Sequence, residues 1–104
     1  MSTASTQNKK KYNYEELARM LSLAGDQTRL RILELLYDWQ EGCVSSIADE
    51  LNISVATASY HLNHMADNGY FSRDRDGQTV CYVLKNNEFV ACLQELLDKN
   101  LSQN

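Results

Sequence analysis

The sequence predicts a mainly α-helical domain that carries one small β-hairpin, and three observations predict it. Two short amphipathic segments with helical spacing, 45–51 and 54–66, are separated by only a few residues. Two segments with strand alternation, 70–75 and 78–84, then flank Asp76-Gly77, a dipeptide that favours a type I′ hairpin turn. Longer helical patterns precede and follow this unit. The resulting order, ααααββα, is that of a winged helix-turn-helix.

The chain has 104 residues, which is one domain with a modest core. We expect a disordered polar tail over residues 1–12 and a single folded domain over residues 13–104. The lysines at positions 9–11 are either solvated or form a basic arm against DNA phosphates. No apolar segment approaches the roughly 20 residues that span a bilayer, and the first residues lack the apolar core of a signal peptide. We therefore expect a cytoplasmic protein with no membrane contact.

The first two helices are predicted to build most of the core. The first covers 14–24 and ends at Gly25, and Asp26 caps the second, which extends to about Trp39. Because the second helix is apolar around most of its circumference, it should lie at the centre of the fold. Arg29 and Arg31 lie near its start, at the unfavourable end of the helix dipole, so each needs a phosphate or an acidic partner; the acidic candidates are Glu15, Glu16 and Glu34.

The third and fourth helices form the predicted helix-turn-helix. Ser45 is expected to cap the third helix and Ser54 the fourth. In the fourth helix, residues at core spacing form an inner stripe, which consists of Val55, Ala58, Leu62 and Met65. The opposite face carries hydroxyl, amide and imidazole groups, with no lysine, arginine or carboxylate from Ser54 to Met65. Uncharged donors and acceptors of this kind suit the reading of base edges in a DNA groove.

A final helix is predicted from about Lys85 to Asn100, with a broad apolar stripe. On so small a domain this stripe needs a partner surface. The first helix and the same two helices of a second copy would supply one, giving a two-fold homodimer through the first and last helices. Two-fold symmetry would place the fourth helices of the two copies, which would read the DNA, about 34 Å apart on a near-palindromic operator.

Several segments resemble the ArsR/SmtB transcriptional repressors. Residues 25–33, GDQTRLRIL, are similar to the family's DPTRLRIL, and residues 41–48, EGCVSSIA, to its ELCVCDLA. Residues 54–62, SVATASYHL, resemble SQSTVSHHL, and residues 76–84, DGQTVCYVL, resemble EGRWVYYRL. The similarity extends from Leu17 to Leu84 in the same order. It implies a homodimeric winged-helix repressor whose affinity for double-stranded DNA falls when it senses a metal or an oxidant.

On this basis we assign candidate DNA-contacting residues to the fourth helix and to the hairpin. The helix groups would contact bases and phosphates, and the hairpin groups the adjacent minor groove, unless they are simply a solvated strand edge. The candidates are Ser54, Ala56, Thr57, Ser59, Tyr60, His61, His64, Arg73, Arg75 and Gln78.

The resemblance also allows the metal sites of the family to be checked. The thiolate site needs two cysteines two positions apart; here Cys43 is present, but the second position is Ser45. The zinc site of the terminal helix is replaced by Asn86, Glu88, Lys99 and Ser102. Both sites are incomplete, so we expect no metal ligand set of the usual kind, and the cofactor is left unknown.

Three cysteines without a CxxC pair or a secretion signal predict reduced thiols. Cys43 and Cys92 are candidate sensor thiols, with Cys43 the more reactive at a helix start; the alternative is that the cysteines are plain core residues.

The net charge and the absence of catalytic motifs limit which classes of function the sequence favours. The net charge of −4 and the pI near 5.0 argue mildly against nucleic acid and favour an alternative, a winged-helix protein-interaction module without DNA binding. Most carboxylates, however, precede the predicted fourth helix in the sequence. For DNA binding, the charge near the contact surface matters more than the net charge of the chain. No phosphate loop or set of nucleophile, base and orienting group is present, so we expect no enzyme activity.

Overall fold

The computed structural model describes residues 12–102, with side chains for residues 12–100. Within that range the elements are α1 (Tyr14–Ala24), α2 (Gln27–Trp39), β1 (Glu41–Cys43), α3 (Val44–Leu51), α4 (Val55–Asp67), β2 (Phe71–Asp76), β3 (Thr79–Leu84) and α5 (Glu88–Ser102). The winged helix-turn-helix is confirmed, with β1 as an additional strand. None of the helices described is long and apolar enough to cross a membrane.

The expected tail lies outside the described residues except for its last member. Tyr12 is half-buried, and its ring packs edge-on against Phe89 with centroids 6.4 Å apart. Lys9, Lys10 and Lys11, for which a solvated segment and a basic arm are the two alternatives, lie outside the described residues. The boundary between tail and domain stays a prediction.

Local capping explains where α1 and α2 begin. The Asn13 side chain accepts a hydrogen bond from the Glu16 amide at 2.7 Å, and the Glu16 carboxylate accepts one from the Asn13 amide at 3.1 Å. This reciprocal pair is a capping box. Asp26 caps α2 as predicted, since its carboxylate accepts a hydrogen bond from the Arg29 amide at 3.0 Å. That bond favours the ionised carboxylate and lowers the pKa of Asp26.

The central position of α2 is confirmed. Ile32, Leu33 and Leu36 are fully buried, and the remaining core comes from all the other helices and both hairpin strands. Its members are Met20, Ala24, Ile47, Ala48, Ala58, Leu62, Met65, Tyr70, Phe71, Tyr82, Phe89, Val90 and Leu93.

The sheet is antiparallel, with the strand order β1-β3-β2. Strand β1 is not predicted by the sequence, because three residues are too few to show alternation. Its pairing places Gly42 opposite Tyr82 and Cys43 opposite Cys81. The strand therefore connects the residues that precede α3 directly to the hairpin.

The predicted turn of the hairpin is wrong by one residue. Asp76 pairs with Thr79, so the two loop residues are Gly77 and Gln78 instead of Asp76 and Gly77. Only Gly77, at φ +65°, has a positive φ there. This pattern, with a positive φ at the first central position alone, fits a type II′ turn, in which glycine is favoured at that position.

Two predicted helix starts also differ from the structure. Helix α3 begins at Val44, with Cys43 at the cap position and no side-chain hydrogen bond, so Ser45 is not the cap. Helix α5 begins at Glu88, because the Asn87 side chain accepts a hydrogen bond from the Val90 amide at 2.9 Å. Both differences arise where short polar side chains offer several competing capping positions.

Candidate DNA interface

Helices α3 and α4 pack against each other through buried residues on their facing sides. Ile47 and Ala48 of α3 and Ala58 and Leu62 of α4 are all buried. The turn between the helices is tight because Asn52 adopts the left-handed conformation, at φ 57° and ψ 48°. The Ile53 amide then donates a hydrogen bond to the Ala48 carbonyl at 3.0 Å. These features make the segment a helix-turn-helix, as predicted.

The outward face of α4 carries most of the candidate residues. The candidates that are exposed there are Ser54, Ala56, Thr57, Tyr60 and His64, whereas Ser59 and His61 are half-buried. The structure thus brings the seven helix candidates together on one element, and five of them are open to a ligand. One member of the predicted inner stripe is misplaced, since Val55 is 52% exposed. As the first residue of α4, it lies before the turn at which the helix reaches the core.

Two hydroxyl groups form the start of this face. The Ser54 side chain caps α4 by accepting a hydrogen bond from the Thr57 amide at 3.0 Å, as predicted. Its own hydroxyl donates to the Thr57 hydroxyl oxygen at 2.8 Å. The Thr57 hydroxyl proton is therefore left to donate outward, next to the amide end of the helix dipole. An anion or a base acceptor suits this position.

Tyr60 lies between the two histidines of α4. Its ring centroid is 5.4 Å from that of His61 and 4.6 Å from that of His64, and both ring pairs are edge-on. Tyr60 is nevertheless 56% exposed. The cluster of Tyr60, His61 and His64 therefore offers a large amphipathic surface with a hydroxyl and imidazole groups at its edge.

His61 is connected to α2 by a side-chain hydrogen bond. The Arg29 Nε–H donates to His61 Nδ1 at 2.9 Å, and the Arg29 Nη1 donates to the Leu23 carbonyl at 3.3 Å. None of the acidic partners expected for Arg29 is its side-chain partner. Burial, and secondly the positive charge of Arg29, lower the pKa of His61.

The hairpin candidates separate into two groups. The Arg73 guanidinium bonds to α4: Nε donates to the Asn63 side-chain oxygen at 3.0 Å, and Nη2 donates to the Asp67 carboxylate at 2.6 Å. This carboxylate raises the pKa of Arg73. Tyr82 also donates to the Asn63 oxygen, at 2.9 Å. Arg73 thus joins the hairpin to α4, whereas Arg75 and Gln78 lie exposed at the hairpin tip.

The expectation of reduced cysteines is wrong for two of the three. Cys43 and Cys81 are cross-strand neighbours and form a disulfide, so Cys43 is not a free thiol at the start of α3. Cys92 is free and exposed on α5. No sequence pattern predicts this pair, because the strand β1 that aligns the two cysteines is too short to show alternation. Over the described range, no three metal-ligating side chains converge.

These features define a class of protein: a winged helix-turn-helix in which α4, the second helix of the helix-turn-helix, presents an uncharged polar face beside the hairpin. A family model described as "Bacterial regulatory protein, arsR family" matches residues 26–72. The chain belongs to this ArsR family.

Individual relatives agree with this assignment. The arsenical resistance operon repressor of Staphylococcus xylosus is 31% identical over 86 residues, which are 83% of this chain and 81% of that protein. The cadmium resistance transcriptional regulatory protein CadC of Listeria innocua is 33% identical over 75 residues, or 72% of this chain. The match spans 63% of the length of CadC. Among solved structures, HlyU of Vibrio cholerae superposes with a TM-score of 0.74 at 29% identity, covering 86% of this chain and 96% of HlyU.

Proposed function

We propose that this protein is a homodimeric transcriptional repressor that binds a near-palindromic operator through α4. The observation that carries the proposal is the exposed outer face of α4, where Thr57, Tyr60 and His64 follow one another along the helix that Ser54 caps. No carboxylate lies between Ser54 and Met65 to repel phosphates. Its relatives include proteins named as repressors and regulators of metal-resistance genes. A regulator of this kind acts in the cytoplasm, where the DNA is.

The proposed contacts follow the geometry of the site. The start and flank of α4 would contact the DNA backbone through Ser54, Ala56 and Ser59. The side chains that would enter the major groove are Thr57, Tyr60, His61 and His64. Arg75 and Gln78 at the hairpin tip would reach the adjacent minor groove. Arg73 would contribute mainly by holding the hairpin against α4, because Asn63 and Asp67 accept hydrogen bonds from its Nε and Nη2.

The homodimer is supported by apolar side chains on the two terminal helices. Leu21 on α1 is 52% exposed, and Leu96 on α5 is 64% exposed. Exposed leucines on both helices are expected if these helices cover each other in a two-fold interface. A dimer would supply the two reading helices that a near-palindromic operator requires.

The inducer is proposed to be a metal, a thiol-reactive compound or another small molecule, with Cys43 and Cys92 as the candidate thiols. In a cytoplasmic protein, a disulfide such as Cys43–Cys81 is commonly a redox-responsive bond. Its reduction by a dithiol adds two electrons and two protons and frees both thiols beside α3 and the hairpin. Release of bound promoter DNA should be measured against metals, oxidants and persulfides, with Cys43→Ser and Cys92→Ser as variants; unchanged release in both variants would remove the cysteines from sensing.

The alternative is a winged-helix module that binds protein and has lost DNA binding, which the net charge of −4 favours. A salt titration with duplex DNA from the promoter of the protein's own gene separates the two. We expect a specific complex whose log affinity falls linearly with log salt, by about 0.9 for each neutralised phosphate. No complex at low salt would overturn the repressor and leave the interaction module.

The groove assignment is tested by the double variant Thr57→Ala, His61→Ala. Each base contact contributes about 1 to 3 kcal/mol of discrimination, so operator affinity should fall by about a hundredfold or more while the dimer persists. Ser22→Ala, an exposed hydroxyl on α1, is the matched control and should bind as the unmodified protein does. Operator affinity that is the same in the double variant would show that α4 does not read the groove.

A further inference from the structure

We propose that Arg29 is a positioning residue for DNA recognition: it holds His61 in the tautomer whose Nε2–H faces the duplex as a hydrogen-bond donor. The proposal rests on the proposed function, because it assigns a role to His61 within that interface. It is carried by the hydrogen bond between these two side chains, which lie 32 residues apart in the sequence.

The chemistry of the pair determines the tautomer. A guanidinium group has donors only and stays protonated in proteins, so Arg29 Nε cannot accept a hydrogen bond. His61 Nδ1, 2.9 Å away, must therefore be the acceptor and carry a lone pair. A neutral imidazole with its lone pair on Nδ1 has its proton on Nε2. The ring atom that remains for a ligand is thus a donor.

Arg29 is itself held in place from two further sides. Its amide donates a hydrogen bond to the Asp26 carboxylate at 3.0 Å, and its Nη1 donates to the Leu23 carbonyl at 3.3 Å. Leu23 lies in the last turn of α1, where the helix dipole favours a cation. Arg29 therefore has favourable surroundings although it lies near the start of α2, and its direction toward His61 is fixed.

Burial, together with the charge of Arg29, keeps His61 neutral. The groups that act on it are the guanidinium of Arg29, the carboxylate of Asp26 and the imidazole of His64. Protonation at Nδ1 would place a second donor and a positive charge against Arg29. Burial and Arg29 lower the pKa of His61, and Asp26 opposes them only in part. At neutral pH the ring is therefore an uncharged donor.

A fixed donor restricts what His61 can recognise. Nε2–H can bond to a phosphate oxygen or to a base acceptor such as guanine N7 and O6, adenine N7 or thymine O4. It cannot accept from the amino groups of cytosine or adenine. Arg29 would thus influence base preference without contacting DNA.

Two substitutions separate the hydrogen bond from the charge. In Arg29→Gln, the side-chain amide nitrogen takes the place of Nε in the chain of bonded atoms, so the donor is kept and the charge is lost. In Arg29→Met, a methyl group takes that place, so donor and charge are both lost. Arg19→Met, on the exposed face of α1, is the matched control for loss of an arginine charge.

The first measurement uses the free protein and needs no DNA. Long-range proton–nitrogen NMR spectra of the histidine rings distinguish a protonated ring nitrogen from one with a lone pair. We expect His61 to carry its proton on Nε2 in the unmodified protein and in Arg29→Gln, and to populate both tautomers in Arg29→Met. A proton on Nδ1 in the unmodified protein would overturn the proposal.

The second measurement is operator affinity as a function of salt. Loss of one hydrogen bond predicts about tenfold weaker binding for Arg29→Met, with an unchanged salt slope, and affinity within about threefold of the unmodified protein for Arg29→Gln. In a His61→Ala background, Arg29→Met should have little further effect. Equal losses in both variants, with a salt slope smaller by about 0.9, would make Arg29 a phosphate contact and overturn the positioning role. No complex with the unmodified protein would instead overturn the proposed function.

Discussion

His61 links the core helix α2 to α4, and its protonation should therefore affect stability. Its pKa is lowered in the folded protein from the ordinary value of 6.5. Below pH 6.5 the unfolded chain takes up a proton at this position more readily than the folded chain does. The folded state is consequently disfavoured as the pH falls.

We expect the free energy of unfolding to be highest above pH 6.5 with respect to this group, and to fall as the pH drops from 6.5 toward the lowered pKa. Urea unfolding at a series of pH values measures it. His61→Gln keeps a polar side chain that does not titrate, so its stability should depend less on pH in this window. Parallel curves for the two proteins would contradict the lowered pKa.

At the same scale, Val55 and Arg73 show how much the surroundings of a residue matter. Valine at a core spacing was predicted to be buried, but the first residue of a helix can precede the packed turn, and Val55 is exposed. Arg73 was predicted to contact DNA or to lie on a solvated strand edge; it bonds to Asn63 and Asp67 of α4, and its contact with DNA stays a prediction. The partners of both side chains depend on what the neighbouring element supplies.

Among the elements, β1 has the largest effect on how the domain is connected. It joins the end of α2 to the start of α3 and pairs with β3. Through the disulfide between Cys43 and Cys81, the helix-turn-helix and the hairpin are linked covalently as well as by backbone hydrogen bonds. The position of the hairpin relative to α4 is therefore determined from both sides, by this bond and by Arg73.

The disulfide spans a sequence separation of 38 residues. Closing a loop of this size removes conformational entropy from the unfolded chain, so a double variant Cys43→Ser, Cys81→Ser should be less stable by about 2 to 4 kcal/mol. Chemical denaturation of the oxidised protein and of the variant measures this difference. A dithiol should destabilise the unmodified protein by a comparable amount and leave the variant unaffected, with Cys92→Ser as the control that keeps the bond. Equal stability in all cases would show that the bond is not formed in solution.

For the whole molecule, the terminal helices and α4 expose surfaces of different polarity. Helix α4 has a polar outer face, whereas α1 and α5 carry the exposed Leu21 and Leu96. A domain of 104 residues buries a limited core, so self-association would add apolar burial where these leucines lie. The same association would set the spacing of the two reading helices.

The double variant Leu21→Glu, Leu96→Glu tests this arrangement. Charged groups in an apolar contact are costly, so self-association should weaken by about thirtyfold or more, and operator affinity should fall with it. Sedimentation velocity over a range of protein concentrations measures the first effect. Ser72→Glu on the exposed side of β2 should leave the oligomeric state unchanged. A dimer that persists in the leucine variant would place the interface elsewhere.

The sequence by itself determined the helices, the hairpin and the helix-turn-helix, because these depend on spacing and capping among near neighbours, as at Asp26 and Ser54. Only the tertiary structure decided the partner of Arg29, the connection of Arg73 to α4, the strand β1 and the pairing of Cys43 with Cys81. Each of these joins residues on different elements, and no local pattern records which distant side chains or short strands will meet once the helices pack.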